Sequence, residues 1–265
     1  MAGTIGLTGL LSSDDADTSK DLYRLLNTST DPFSASLSVT GETFDVSAFE
    51  STAPVAKDME GGLGAWTGQF SGRYPKNAPA IGHEGLVTFA NGYVLGCSGW
   101  SITMNCESYD DTAFASTPPT WRTMIPGEIS ATGSFDVRID DTTPLTLLTS
   151  GAATFRMNTE ATDDNELSGT IIIDTLNPTI SRGARNVATY NFVFDGNVTS
   201  AGDNALFAAG ALATPDLTDI VLRAKGAIDY TGSAHWTSLT IGSQIGSPIE
   251  VSGSLQGSGA LTVGS

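Results

Sequence analysis

The stretch YDDTAFASTPPTWRTMIPGEISATGSFDVR, residues 109–138, decides how this chain is read, because a second version stands at 44–73: FDVSAFESTAPVAKDMEGGLGAWTGQFSGR. The two align without a gap at an offset of 65 residues, and 36–73 against 101–138 gives 14 identities in 38 positions. Asp45/Asp110, Ala48/Ala113, Phe49/Phe114, Pro54/Pro119, Gly62/Gly127, Phe70/Phe135 and Arg73/Arg138 are among them. Chance does not produce that density of ungapped identity. The chain carries an internal duplication, and a repeat constrains the architecture before any single residue does.

Outward from the repeat the hydrophobic period is two. Leu37 and Val39 alternate with Ser36, Ser38 and Thr40; Ile102, Met104 and Cys106 alternate with Thr103, Asn105 and Glu107. EISATGSFDVRI puts Ile129, Ala131, Phe135, Val137 and Ile139 on one face, and Trp66 and Phe70 keep the apolar side in the first copy. These are strands with one buried face, and the duplication preserves the pleat. Between the paired strands lie loops at 50–61 and 115–126, holding Pro54 in one and Pro118, Pro119 and Pro126 in the other. Each ends in a glycine that permits a tight turn, and structureless loops of this length usually have a job. A weaker echo relates GLVTF (85–89) to GAATF (151–155). Two further strand pairs are expected at 168–199 and 235–263. Helix candidates are 19–27, with Ser19 as N-cap, and the stretch 206–226, split by Pro215. Residues 1–18 read as a flexible arm.

The first half of the unit thus occurs twice, and so does its second half. Two arrangements fit: two units in tandem, the first abbreviated, or one unit nested inside the other, which gives each a comparable strand set. The divisions are an arm and short helix at 1–35, a first repeat at 36–100 (completed by 203–265 if nested), a second repeat at 101–200 and a C-terminal β segment at 201–265.

The chain has 265 residues and is 40% hydrophobic, ample for a core. A net charge of −17 argues against a protein that grips nucleic acid by neutralising phosphates, or a membrane surface through basic residues. The acidity speaks either to solubility or a salty habitat, or to a functional acidic surface. The N-terminus lacks the basic region of a signal peptide, and no run approaches the ~18 apolar residues of a membrane span. Cys97 and Cys106 are the only cysteines, expected as buried free thiols in a reducing cytoplasm.

The string YDDTAFAS…WRTMIPGEISATGSFDV resembles the core of the major tail tube proteins of long-tailed, siphovirus-like bacteriophages. The resemblance rests on Tyr109, Asp110, Thr112, Ala113, Phe114, Trp121, Pro126, Gly127 and the strand 129–139, with ELSGTIIIDTLNP…ATYNFVFDGNV similar to that family's closing strand pair. The first copy departs from it, with Gly61-Gly62 for Pro-Gly and no loop Trp. The resemblance implies a mainly β fold: duplicated β-sandwich or barrel domains of tail-tube type, with one or two short helices. It implies a structural virion protein whose rings stack into the tail tube, the conduit for genome ejection. A chain with two such domains could close the family's six-membered ring as a trimer. It further implies assembly in the host cytoplasm and partners that are the chain itself and the tail terminator, tape measure and tail-tip proteins. Genomic DNA would pass without specific binding, and no cofactor or metal is expected. Phe49, Phe70, Phe114 and Phe135 are then core residues of the repeats. Pro54, Lys57, Pro119, Trp121 and Arg122 sit on ring-stacking loops. Glu42, Glu107 and Asp136, with Ser130 and Thr132, are lumen candidates on a face that could equally be the outer surface.

Enzymatic readings find little. His83 and His235 lie in no nucleophile elbow or zinc helix, and the pairs Asp140–Asp141 and Asp163–Asp164 are not placed across a cleft. DDADTSKD and EATDDNE lack EF-hand spacing. The competing class is a surface-displayed β-sandwich that binds carbohydrate or adheres, with Trp66, Trp100, Trp121 and Trp236 as exposed stacking platforms.

Overall fold

A computed structural model of the chain describes residues 10–13, 34–45, 59–73, 86–90, 93–95, 97–113, 120–138, 147–156, 166–180, 182, 186–201, 216–224, 228–244, 247 and 249–264. These are almost wholly antiparallel β: β1 Leu10–Ser13, β2 Ser34–Asp45, β3 Met59–Arg73, β4 Leu86–Phe89, β5 Tyr93–Leu95, β6 Cys97–Asp110 and β7 Met124–Arg138. They continue as β8 Ser150–Arg156, β9 Glu166–Thr179, β10 Val187–Ala201, β11 Asp216–Ala224, β12 Ile228–Gln244 and β13 Glu250–Gly264. The sheet runs β2-β3-β13-β12-β6-β7-β10-β9-β8-β4-β5, with β11 on β12 and β1 on β11.

Twelve of the thirteen strands fall into two sets of six in the same order, β1-β11-β12-β13-β3-β2 and β4-β8-β9-β10-β7-β6, with β5 added on β4. Hairpin β2–β3 and hairpin β6–β7 have one register, shifted by 65 residues: Ser36↔Gln69 answers Ser101↔Ser134, and Phe44↔Glu60 answers Tyr109↔Ile125. Both carry the same β-bulge, which falls at Glu42 in one and Glu107 in the other. Pairs β9–β10 and β12–β13 match at a shift of 63, with Phe192↔Ile173 answering Leu255↔Trp236. Both register breaks match as well, and each pair holds one positive-φ glycine at the corresponding place, Gly196 (+87°) and Gly259 (+77°). The link between hairpins agrees too: Val187↔Arg138 answers Glu250↔Arg73. The two sets join where β12 pairs with β6 from Ser238↔Asn105 to Gln244↔Gly99.

Period-two alternation puts one face of β3, β13, β12, β6, β7 and β10 into a single core. It holds Trp66, Phe70, Trp100, Ile102, Phe135, Tyr190, Phe192, Trp236, Ile241 and Leu255, continued by Val87, Phe89, Phe155, Leu167, Ile171 and Ile173 from β4, β8 and β9. The other face is rich in Ser, Thr, Asn and Gln in its middle rows, with charged residues such as Glu107, Asp136, Arg138 and Glu250 towards the strand ends. One row across it reads Ser36, Gln69, Ser254, Ser238, Asn105 and Ser130.

Three sequence expectations need correction. Asp216–Ala224 is strand β11, not part of a helix: it follows Pro215 and finds partners in β1 and β12. Leu10–Ser13, within the expected flexible arm, is a strand on β11. Gly62 and Gly127 do not make turns into the next strand but lie inside β3 and β7, within the bulges. A side chain there would collide with the aromatic ring of Phe44 or Tyr109, and a Cβ would fall 2.9 Å from that of Glu42 or 3.1 Å from that of Glu107. Close approach, not turning, requires glycine at both. The echo of GLVTF in GAATF is a pairing: β4 lies antiparallel on β8, Val87 opposite Phe155. The helix expected at 19–27 lies outside the described residues.

Candidate assembly interface

The contact between the two strand sets is the most elaborate polar site among the described residues. Along the β12–β6 ladder the apolar pairs Ile241/Ile102 and Leu239/Met104 are buried on one face, and Thr103 and Thr240 hydroxyls meet at 3.0 Å on the other. His235, fully buried on β12, hydrogen-bonds the Ser108 hydroxyl of β6 at 2.9 Å through Nε2. That makes His235 a structural bridge between the sets.

The segment 120–124 then clasps the first set. The Gly64 N–H donates to the Thr120 carbonyl at 2.8 Å and the Arg122 N–H to the Gly64 carbonyl at 2.9 Å. Gly259 N–H donates to the Arg122 carbonyl at 2.8 Å, and Met124 N–H to the Ser258 hydroxyl at 3.0 Å. The Trp121 indole lies over Gly64, where a Cβ would come within 2.9 Å of it. The Arg122 guanidinium sits between Asp110, at 2.7 Å, and Glu42, each contact charge-assisted. Glu42 first and Asp110 second push the Arg122 pKa upward. Asp110 is held below the usual carboxylate range first by the Thr112 hydroxyl and N–H, and then by Arg122. Tyr109 donates to Glu107, which raises the phenol's pKa.

Of the residues singled out from the sequence, Phe70 (3% exposed) and Phe135 (1%) lie in the core. Phe49, Phe114, Pro54, Lys57 and Pro119 lie outside the described residues, as does His83. Trp121 and Arg122, assigned to ring stacking, make their contacts within the chain. Glu42 and Glu107 occupy the bulges near one end of the sheet, and Asp136 accepts from the Thr189 hydroxyl at 2.6 Å. Trp66, Trp100 and Trp236 are buried, so they offer no exposed face for sugar stacking. Sequence reading missed the clasp because its partners Gly64, Ser258 and Gly259 belong to no chemical motif. Among the described residues no group of three His, Cys, Asp or Glu could hold a metal ion, and no helix is long and apolar enough to cross a membrane.

No protein-family model matches the chain, and no curated protein matches its sequence. Among solved structures it is similar to a chain in the virion of a native gene transfer agent particle, at 15% identity and a TM-score of 0.37, over 46% of this chain and 98% of that one. It is likewise similar to a chain in the tail of an empty gene transfer agent particle refined with C6 symmetry, at 14% identity and a TM-score of 0.37, over 48% and 100%. Likeness at this level carries no assignment.

Proposed function

We propose that the chain is a structural protein of a phage-like tail whose copies close into rings, three to a ring, that stack into a tube through which the genome leaves. In this reading each copy supplies two near-equivalent units. One is built of β4 and β6–β10; the other is formed by β1–β3 with β11–β13 and is interrupted by the first. The observation that carries it is the residue-for-residue agreement of register, bulges and strand order between the two sets, together with their edge-to-edge junction. Near-equivalent units joined by sheet continuation are what a closed ring repeats. The Ser/Thr/Asn/Gln-rich face is the candidate bore lining. Its middle rows offer a polyanion few cations that would hold it and few carboxylates that would repel it, the charges Arg73, Arg138, Glu250 and Asp136 lying towards one end of the strands. Glu42 and Glu107, at the bulges, then belong to the rim of the sheet, and Asp136 is the acidic group closest to the bore. The tail terminator, tape measure and tail-tip proteins are the expected partners in the virion.

Electron microscopy of the purified protein at high concentration, with rotational averaging of end-on views, tests this. Tubes or rings of three chains with six-fold-like walls are the expected result. Assemblies of another symmetry, or monomers at every concentration and in the presence of the other tail proteins, would overturn it.

A further inference from the structure

We propose that copies of this chain join head to tail by adding β2 of one copy to the outer edge of β9 of the next, in the register that β6 and β12 already use inside the chain. This deepens the ring reading and rests on it for closure; the pairing itself rests on the two strand edges.

In the matched sets β2 stands where β6 stands, and β9 where β12 stands. β12 splits its outer side: its first half pairs with β11, its second half with β6. β9 pairs with β8 over the corresponding first half, and Leu148 and Thr149 cover Ile173. Beyond Ile173 the described residues place nothing on that side of β9, and nothing on the side of β2 away from β3. The run of eight strands β2-β3-β13-β12-β6-β7-β10-β9 therefore ends, at β2 and at the second half of β9, in two open edges whose counterparts are bonded to each other in its middle.

Carrying the β12–β6 register across by the shifts of 63 and 65 pairs Val39 with Leu176, Ser38 with Asn177, Leu37 with Pro178 and Ala35 with Ile180. The side chains fit this. Three apolar pairs fall on the core side, as do Met104/Leu239, Ile102/Ile241 and Trp100/Ser243 at the internal junction. Ser38 and Asn177 fall on the polar side, as do Thr103 and Thr240. Large against small is kept with the partners exchanged, Trp100/Ser243 becoming Ala35/Ile180. Exposure marks what is uncovered: Met104 is 4% exposed but its counterpart Val39 is 52%, and Ser243 is 4% but its counterpart Ile180 is 77%. Neither 34–40 nor 175–180 contains a charged residue, so two copies of a chain of net charge −17 meet there without like charges opposed. Pro178 has no N–H to donate, so opposite Leu37 it contributes at most its carbonyl to the added ladder. Because the two edges differ, the contact is heterologous and propagates until it closes.

The test is the full-length Ser38→Cys/Asn177→Cys protein, oxidised with glutathione disulfide and run on a non-reducing gel. A Thr103→Cys/Thr240→Cys protein, which should close within one chain, is the control for geometry. A ladder at multiples of the chain mass is expected from the first pair, none from either single variant, and none from Ser36→Cys/Thr175→Cys, which is out of register. Monomer from the first pair while the control closes, or a ladder from the out-of-register pair, would overturn the proposal. Val39→Glu, on an exposed position, should leave the melting temperature unchanged and raise the concentration needed for assembly about tenfold or more, by burying an unpaired charge. Unchanged assembly by that variant also refutes the pairing. A ladder without tubes in the microscope leaves the pairing standing and sinks the tube; tubes without a ladder do the reverse.

Discussion

Phe135 stacks on Tyr190 at 5.3 Å between ring centroids and touches Phe192 at 5.7 Å; its counterpart Phe70 meets Trp236 edge-on at 5.2 Å. Where the second set has Tyr190 beneath the ring, the first has Gly253, so Phe70 lies on backbone. Replacing either phenylalanine with Ala should cost about 3–5 kcal/mol of stability, read as a lowered urea midpoint with an unchanged slope. Cys97 offers a test of a different kind. Burial pushes its thiol up to about 11, with the nearby Asp136 charge adding a little. The folded state therefore holds this proton above the pH at which the unfolded chain releases it. The stabilisation is complete below the ordinary thiol value of about 8.5 and is lost as pH climbs towards the folded value. Wild type should lose stability relative to Cys97→Ser between those limits, and folded Cys97 should resist iodoacetamide at pH 8. Rapid alkylation of the folded protein at that pH would contradict the raised pKa of this half-buried thiol.

At the level of elements, much was legible and the reason is specific. The strands of 36–73 and 101–138 declare themselves because alternation, the aromatic core positions and the paired glycines survive together at one offset. The β9–β10 and β12–β13 equivalence is just as close in register, yet its sequence signal is thin: Gly169/Gly232, Leu176/Leu239, Gly196/Gly259 and Thr199/Thr262 are the identities a reader could use. Ladder hydrogen bonds are made by the backbone, so side chains drift freely where only pleat and bulge must be kept. Gly196 and Gly259 survive because their left-handed conformation penalises any side chain, although open space surrounds both. Changing either to Ala should destabilise by roughly 1–2 kcal/mol, measured by thermal melting, through strain alone. The clasp was illegible for a further reason. Arg122 gains meaning from Glu42, which lies on another hairpin, and from backbone groups that have no sequence signature. Arg122→Ala should lower the melting point at low salt more than at high salt, since its ion pairs are exposed and screened. Equal loss at both would assign the effect to packing.

On the scale of the whole molecule, the described strands are joined through one core and one polar face. That core is continuous, the one histidine among the described residues bridges two strand sets, and the middle rows of the polar face are lined with hydroxyls and amides. The pairing of β3 with β13 has a temporal consequence. Everything from β6 to β10 is synthesised between those two strands, so as the chain leaves the ribosome β3 waits while an entire set of partners for one another appears. Loop-closure entropy favours the local pairings first, and domains fold as units during synthesis. Pulse-labelled hydrogen exchange on the refolding chain should therefore show amides of β6, β7, β9 and β10 protected before those that β3 and β13 share; simultaneous protection would refute this order. While it waits, the β2–β3 hairpin has no core to lie on. On the proposed nested reading, the layer that could present two finished edges to neighbours exists only once β12 and β13 have been made, so the interruption would act as a timer that keeps nascent chains from polymerising early.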